Sequence, residues 1–160
     1  MPKLLVLFDA SEPALAQLAD AIAAGARTVR FAEVDVRRAG DGATDGRWRH
    51  RALGGPEEFA QYDGIVLGVP EHDGSGPGAA ESTLTRFEGS LANKVGSAFT
   101  AAEGAPRRET LWRALAPMAD RGMILVPAPL TGPSDEAALG ARLAEVIAWV
   151  THARSHHHHH

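Results

Sequence analysis

The sequence predicts an α/β domain in which a parallel sheet of five strands carries helices on both faces. Apolar runs of strand length alternate along the chain with segments whose apolar residues recur at helical spacing. The first and third of these runs are apolar without alternation, as in strands that are buried on both faces. Glycine or proline stands at several junctions, such as Gly25, Pro70 and Pro127. We therefore expect a doubly wound fold, with a single domain over residues 1–154.

Strands and helices are expected in strict alternation. The strands are predicted at 4–8, 28–36, 63–69, 94–99 and 123–126. The helices are predicted at 14–25, 80–91, 107–120 and 134–154, with a short helical turn at 57–61. Ser11 and Ser134 are placed to cap the first and last helices, and Gly25 is placed to end the first one. Trp112 and Trp149 lie on predicted helices and are expected to pack against the core.

The segment 37–56 is longer and more polar than an ordinary connection, which predicts a functional loop, an insertion or a mobile region. Within it, arginines at positions 47, 49 and 51 surround Trp48. Such a cluster could bind phosphate or a nucleic-acid strand. Because the chain has a formal net charge of −4, we favour a solvated loop whose Trp48 packs on the surface or contacts another subunit. A homo-oligomer is therefore one expected state.

The composition argues against several classes of protein. An apolar content of 44% and a charged content of 22% are typical of a soluble globular domain. The chain has no cysteine, which excludes a disulfide framework, a thiol nucleophile and a cysteine metal site. It shows no secretory signal and no apolar run of the roughly 20 residues that span a bilayer. We predict a cytoplasmic protein without a membrane or nucleic-acid partner, and we interpret residues 155–160 as an affinity tag.

The motifs argue against three other families of similar architecture. A phospho-acceptor receiver needs a carboxylate cluster at the ends of the first and third strands, where Asp9 stands alone. A serine hydrolase needs a GxSxG turn, which this sequence lacks. The string GSGPGA at 74–79 matches the dinucleotide fingerprint GxGxxA, but it follows the third strand and places Pro77 where backbone donors are needed. A nicotinamide site at this string is therefore disfavoured.

Several blocks of the chain resemble the flavodoxin-like superfamily. They are LLVLF at 4–8, DAIAAG at 20–25, PEEFAQYDGIVLGVP at 56–70, NKVGSAFTAAEG at 93–104 and RETLWRALAPMADRGMILVP at 108–127. In order and spacing they look most like the WrbA-type NAD(P)H:quinone oxidoreductases. The resemblance implies a three-layer flavodoxin-like fold with strand order 2-1-3-4-5. It also implies an FMN site at the carboxyl ends of the first, third and fourth strands, where the strand order reverses.

The first of three loops that surround FMN in this family departs from the family pattern. The family serine that begins the phosphate-binding turn falls on Ala10, which leaves Ser11 as the only hydroxyl. The family glycine falls on Pro13, which has no N–H to donate, while Asp9 and Glu12 bring carboxylates towards a dianionic phosphate. The resemblance therefore implies a phosphate loop that has degenerated.

The other two loops give weaker signals for the same site. In the second loop, which follows Pro70, the family has a threonine, an arginine or aromatic residue and a glycine-asparagine segment beside the flavin ring. Here these are replaced by Glu71, His72, Asp73 and glycines, and the loop is shorter. His72 could stack on a ring, although a solvated histidine is the favoured interpretation. The third loop, Thr100 and Ala101 to Gly104, retains a hydroxyl and a glycine near the expected flavin edge.

Two functions follow from these observations. The first is an oxidoreductase-like protein that binds a flavin or a small aromatic ligand, with FMN binding weakened or lost. The second is a binding or interaction module that keeps the fold without catalysis. No catalytic residue is identified from the sequence.

Overall fold

In a computed structural model of the chain, described for residues 2–30, 32–40, 49–71, 76–130 and 133–157, a six-stranded parallel sheet forms the centre. The strand order is β3-β2-β1-β4-β5-β6, and every neighbouring pair is parallel. The strands are β1 Lys3–Asp9, β2 Glu33–Ala39, β3 Arg51–Ala52, β4 Gly64–Gly68, β5 Val95–Phe99 and β6 Ile124–Leu125. β1 lies between β2 and β4, so the strand order reverses at β1.

The five predicted strands are present in the expected order, and the structure adds one more at the edge. The additional strand β3 pairs with β2 through Arg37–Arg51 and Arg38–Ala52 alone. It falls within the segment 37–56 that the sequence predicts to be irregular. The sheet therefore has the predicted flavodoxin-like order, extended by a two-residue strand.

Helices cover both faces of the sheet. They are α1 Ala14–Arg27, α2 Ala79–Arg86, α3 Ala105–Asp120 and α4 Glu136–His157, with a 3-10 helix at Pro56–Gln61. α1 and α4 pack together on one face, while α2, α3 and the 3-10 helix cover the other. Each face buries its own apolar cluster against β1 and β4, because these central strands are apolar on both sides. Because every neighbouring pair of strands is parallel, the carboxyl ends of the strands lie at a single edge of the sheet.

The first helix and the second strand differ from their predicted bounds. α1 continues past Gly25 to Arg27, and β2 begins at Glu33 and extends to Ala39. Gly25 does not end the helix. It lies at the contact with α4, where an added Cβ would come within 1.9 Å of the Ala137 carbonyl oxygen. The lack of a side chain therefore permits a close approach of α1 and α4.

Several smaller expectations are also corrected. α2 ends at Arg86, five residues before its predicted end, although the following segment still buries Phe87 and Leu91. Ser11 makes no cap on α1, and Asp135 caps α4 by accepting the Ala138 N–H at 3.0 Å.

The two helical tryptophans lie on the surface and do not pack in the core. Trp112 is 60% exposed and Trp149 is 69% exposed. None of the described helices combines the length and the apolar character that a bilayer-spanning segment requires.

Candidate functional site

A cavity of about 300 Å³ opens at the carboxyl ends of β1 and β4, beside the reversal of strand order. We call it the edge cavity. Ligands of open α/β sheets bind at this position, because loops from neighbouring strands diverge there. Its walls come from the loop after β1, the loop after β4, the start of α2 and one face of α3. The side chains that define it are Asp9, Ser11, Pro70, Glu71, Glu81, Thr110 and Arg113.

Asp9 joins two walls of the edge cavity. Its side chain is only 4% exposed. One carboxylate oxygen accepts the Ser11 N–H at 2.9 Å, and the other accepts the Ala79 N–H at 2.9 Å. Ala79 is the first residue of α2, so the carboxylate also lies at the positive end of that helix. Gly78 makes this approach feasible, since an added Cβ would lie 2.5 Å from the Asp9 carboxylate.

The backbone donors of the first loop are engaged within the protein. The Ala10 N–H donates to the Ala39 carbonyl at 2.9 Å, and the Glu12 N–H donates to the Asp9 carbonyl at 3.5 Å. Pro13 has no N–H, and the Ser11 N–H is taken by the Asp9 carboxylate. A loop that cradles phosphate presents such donors to the ligand. From residue 10 to residue 13, this loop presents none.

Negative charge accumulates around the same loop. Burial raises the pKa of Glu12, and the nearby carboxylates of Asp9 and Glu71 raise it further. Glu81 adds another carboxylate to the lining, and Arg113 is the single cation among the described lining residues. At about 4 Å and an effective dielectric near 20, one like-charge contact opposes anion binding by about 4 kcal/mol before screening by salt. The described residues therefore do not fit the phosphate group of FMN.

The predicted residues of the first two loops come together around this cavity. Ser11, Pro70 and Glu71 line it, and Glu12 lies close enough to Glu71 for their charges to interact. Ala10, the residue that follows β1, is buried and is not among the lining residues. His72 lies outside the described residues.

The predicted residues of the third loop do not line the edge cavity. Thr100 is buried, and its hydroxyl accepts the Ala102 N–H at 3.3 Å. Thr100 and Ala101 line a separate cavity of about 240 Å³ between α1 and the start of α4. Gly104, with φ +67°, precedes α3 and borders another cavity of about 480 Å³. The structure thus does not bring these three residues to the edge cavity.

Two residues of α3 complete the edge cavity and are absent from the prediction. Thr110 and Arg113 are three positions apart, so they share one face of the helix. Thr110 is 4% exposed, and its hydroxyl has no hydrogen bond to any residue that the structure describes. No local pattern in α3 marks this pair, because the two residues lie about 100 positions from the first loop in the sequence.

The arginine-rich segment is attached to α1 where the structure describes it. The His50 ring is hydrogen-bonded to Asp20 at 2.8 Å and packs edge-on against Phe8, with 5.1 Å between ring centroids. Arg49 forms an ion pair with the same Asp20. Trp48 and the arginine at position 47 lie outside the described residues. The expectation of a solvated loop therefore fails at His50, which is largely buried.

Three solved structures with the same fold are flavodoxins or a flavoprotein by name. A flavodoxin of Streptococcus pneumonia TIGR4 superposes with a TM-score of 0.64 at 13% identity, covering 92% of this chain and 98% of that chain. A diflavin flavoprotein A3 from Nostoc sp. gives 0.62 at 18% identity, covering 98% and 97%. A flavodoxin from the domain Archaea gives 0.59 at 17% identity, covering 91% and 99%. No protein-family model matches the chain. The chain has a flavodoxin-like fold.

Proposed function

We propose that this protein is an oxidoreductase-like member of the flavodoxin class, akin to WrbA-type NAD(P)H:quinone oxidoreductases, that binds a flavin or small aromatic ligand in the edge cavity. In this proposal FMN is held weakly or not at all. The observation that carries it is the engagement of the first-loop donors by the Asp9 carboxylate and the Ala39 carbonyl. We further propose one domain over residues 1–154 and a cytoplasmic location.

The position of the edge cavity supports ligand binding there. It lies where the strand order reverses, which is the general ligand site of this topology. Pro70 and Pro77 contribute flat apolar surfaces, while Ser11, Thr110 and Arg113 contribute polar groups. A cavity that combines apolar surface with a few convergent polar groups is typical of small-molecule sites.

An absorbance spectrum followed by an FMN titration tests this proposal. We expect the purified chain to be colourless, and added FMN to bind far more weakly than a resident cofactor does. Weak binding follows because a phosphate finds no free backbone donor from residue 10 to residue 13 and meets several carboxylates. A yellow preparation that carries FMN, identified after release from the protein, near one equivalent would refute it.

The exposed tryptophans favour a second candidate function, that of an interaction module. Trp112 borders an apolar cavity of about 340 Å³ with Leu130, and large exposed aromatic side chains are enriched at protein interfaces. A second copy of the chain is the simplest partner to test. Light scattering over a concentration series should show a dimer that Trp112→Ala weakens. A monomer at every concentration would exclude a homodimer through this surface.

A further inference from the structure

We infer that the edge cavity selects a phosphate-free ligand, because the Asp9 carboxylate acts as a built-in anion in the place that a ligand phosphate would occupy. An unphosphorylated flavin should then bind more tightly than its phosphate ester. This inference rests on the proposed function, since it takes a flavin-type ligand as the occupant.

The contacts of Asp9 occupy backbone donors at the edge cavity. Its two oxygens accept one backbone N–H from each of two elements, the first loop and the start of the eight-residue helix α2. A bound phosphate uses donors of this kind at a helix start. A ligand phosphate would have to displace the carboxylate, which is almost completely buried and belongs to the last residue of β1. The chain therefore satisfies its own anion site.

Carboxylates dominate the charge of the lining. Besides Asp9, the carboxylates of Glu71 and Glu81 line the cavity, and the charge of Glu12 interacts with those of Asp9 and Glu71. Arg113 offsets one of these charges. A dianionic phosphate is repelled by the remainder, whereas the terminal hydroxyl of an unphosphorylated ligand carries no charge to repel.

One hydroxyl of the lining is left for a ligand. Thr110 lines the cavity, and no hydrogen bond joins its hydroxyl to another described residue. A hydroxyl in this position can both donate to and accept from a ligand. Glu71 and Glu81 accept hydrogen bonds from hydroxyl groups. The lining therefore suits a neutral, hydroxyl-bearing chain next to an aromatic ring.

The test compares riboflavin and FMN by quenching of flavin fluorescence with the full chain at pH 7. We expect riboflavin to bind at least about tenfold more tightly than FMN. The difference should shrink as salt is added, because screening weakens the repulsion of the phosphate by partly exposed carboxylates.

Three variants separate the causes. Glu12→Gln removes a carboxylate whose charge interacts with the lining residues Asp9 and Glu71, and it should reduce the preference for riboflavin. Asp9→Ala frees the donors of Ser11 and Ala79 and should tighten FMN binding with little change for riboflavin. Glu33→Gln removes an exposed carboxylate at the start of β2, the opposite edge of the sheet, and should leave the ratio unchanged.

If the wild-type chain binds FMN as tightly as riboflavin, or more tightly, the inference is wrong while flavin binding stands. If neither flavin binds, the inference fails, and so does flavin binding in the proposed function. If Asp9→Ala does not fold, the ratio of riboflavin to FMN affinity measured for Glu12→Gln still tests the inference. A ratio equal to that of the wild type would contradict the role of the carboxylate charges.

Discussion

Replacing Asp9 by alanine should destabilise the fold as well as change the site. The substitution deletes two hydrogen bonds of 2.9 Å from an almost completely buried carboxylate to backbone N–H groups. Hydrogen bonds to a charged group contribute about 1.5–3 kcal/mol each. Ser11 is exposed, so its N–H regains water in the variant, which places the expected total loss in unfolding free energy at about 2–4 kcal/mol. Asp9→Asn keeps one acceptor oxygen and should lose roughly half as much.

Urea denaturation followed by far-UV circular dichroism at pH 7 measures these losses. Asp135→Ala is the matched control, because Asp135 also accepts a backbone N–H at a helix start but does so in an exposed position. A loss of about 0.5–1 kcal/mol is expected for that ordinary cap. If Asp9→Ala loses no more stability than Asp135→Ala, the two hydrogen bonds of Asp9 do not hold the walls of the edge cavity together.

Three further predictions concern pH and packing. Because the pKa of Glu12 is raised in the folded protein, the Glu12 carboxyl stays protonated to a higher pH there than in the unfolded chain. The free energy of unfolding therefore falls as pH rises above about 4.5, and the loss is complete above the folded-state pKa. Glu12→Gln should therefore stabilise the protein by up to about 1 kcal/mol at pH 7 and by nothing near pH 3, as measured by urea denaturation at both values. Burial, followed by the hydrogen bond to Asp35, raises the pKa of Tyr62, the only tyrosine. Absorbance at 295 nm should therefore show no phenolate at pH 10.5, and the free energy of unfolding should fall as pH rises above about 10. A phenolate signal near pH 10 in the folded protein would contradict the buried Tyr62–Asp35 hydrogen bond. Gly140→Ala places a Cβ 1.9 Å from the Ile22 carbonyl oxygen. It should lower the free energy of unfolding by about 1–3 kcal/mol, although alanine has the better helix propensity. A variant that is more stable in urea would contradict the close contact of α1 and α4.

The fold could be predicted because its signals are local and apolar. Leu4 to Phe8 and Ile65 to Leu67 are buried on both sides, so the unbroken apolar runs identify central strands directly. β3 has no such run. Its two residues are exposed and are placed by pairing with Arg37 and Arg38, which no local pattern reveals. The predicted end of α1 at Gly25 is wrong for a related reason. Gly25 permits a close contact with Ala137 of α4, a residue far away in the sequence.

The lining of the edge cavity could be predicted only where it follows a strand directly. The sequence could place Ser11, Pro70 and Glu71 together because parallel strands bring their following loops to the same edge. The sequence showed that Asp9 opposes phosphate by its charge, but not that it occupies the donors, because its bond to Ala79 spans 70 residues. Thr110 enters the cavity from the middle of a helix, where a polar residue most often faces solvent.

One residue thus links the stability of the fold to the selectivity of the cavity. The strands need Asp9 only as the last residue of β1, paired with Ala39, and many side chains would serve there. Its carboxylate instead links the first loop to α2 by accepting the N–H groups of Ser11 and Ala79, which are donors that a phosphate would need. Removing it must therefore weaken the fold and open the anion site together. A variant series at this position should show FMN affinity rising as unfolding free energy falls, and Asp9→Asn should lie between the wild type and Asp9→Ala on both scales. If the two quantities vary independently, the carboxylate does not perform both roles.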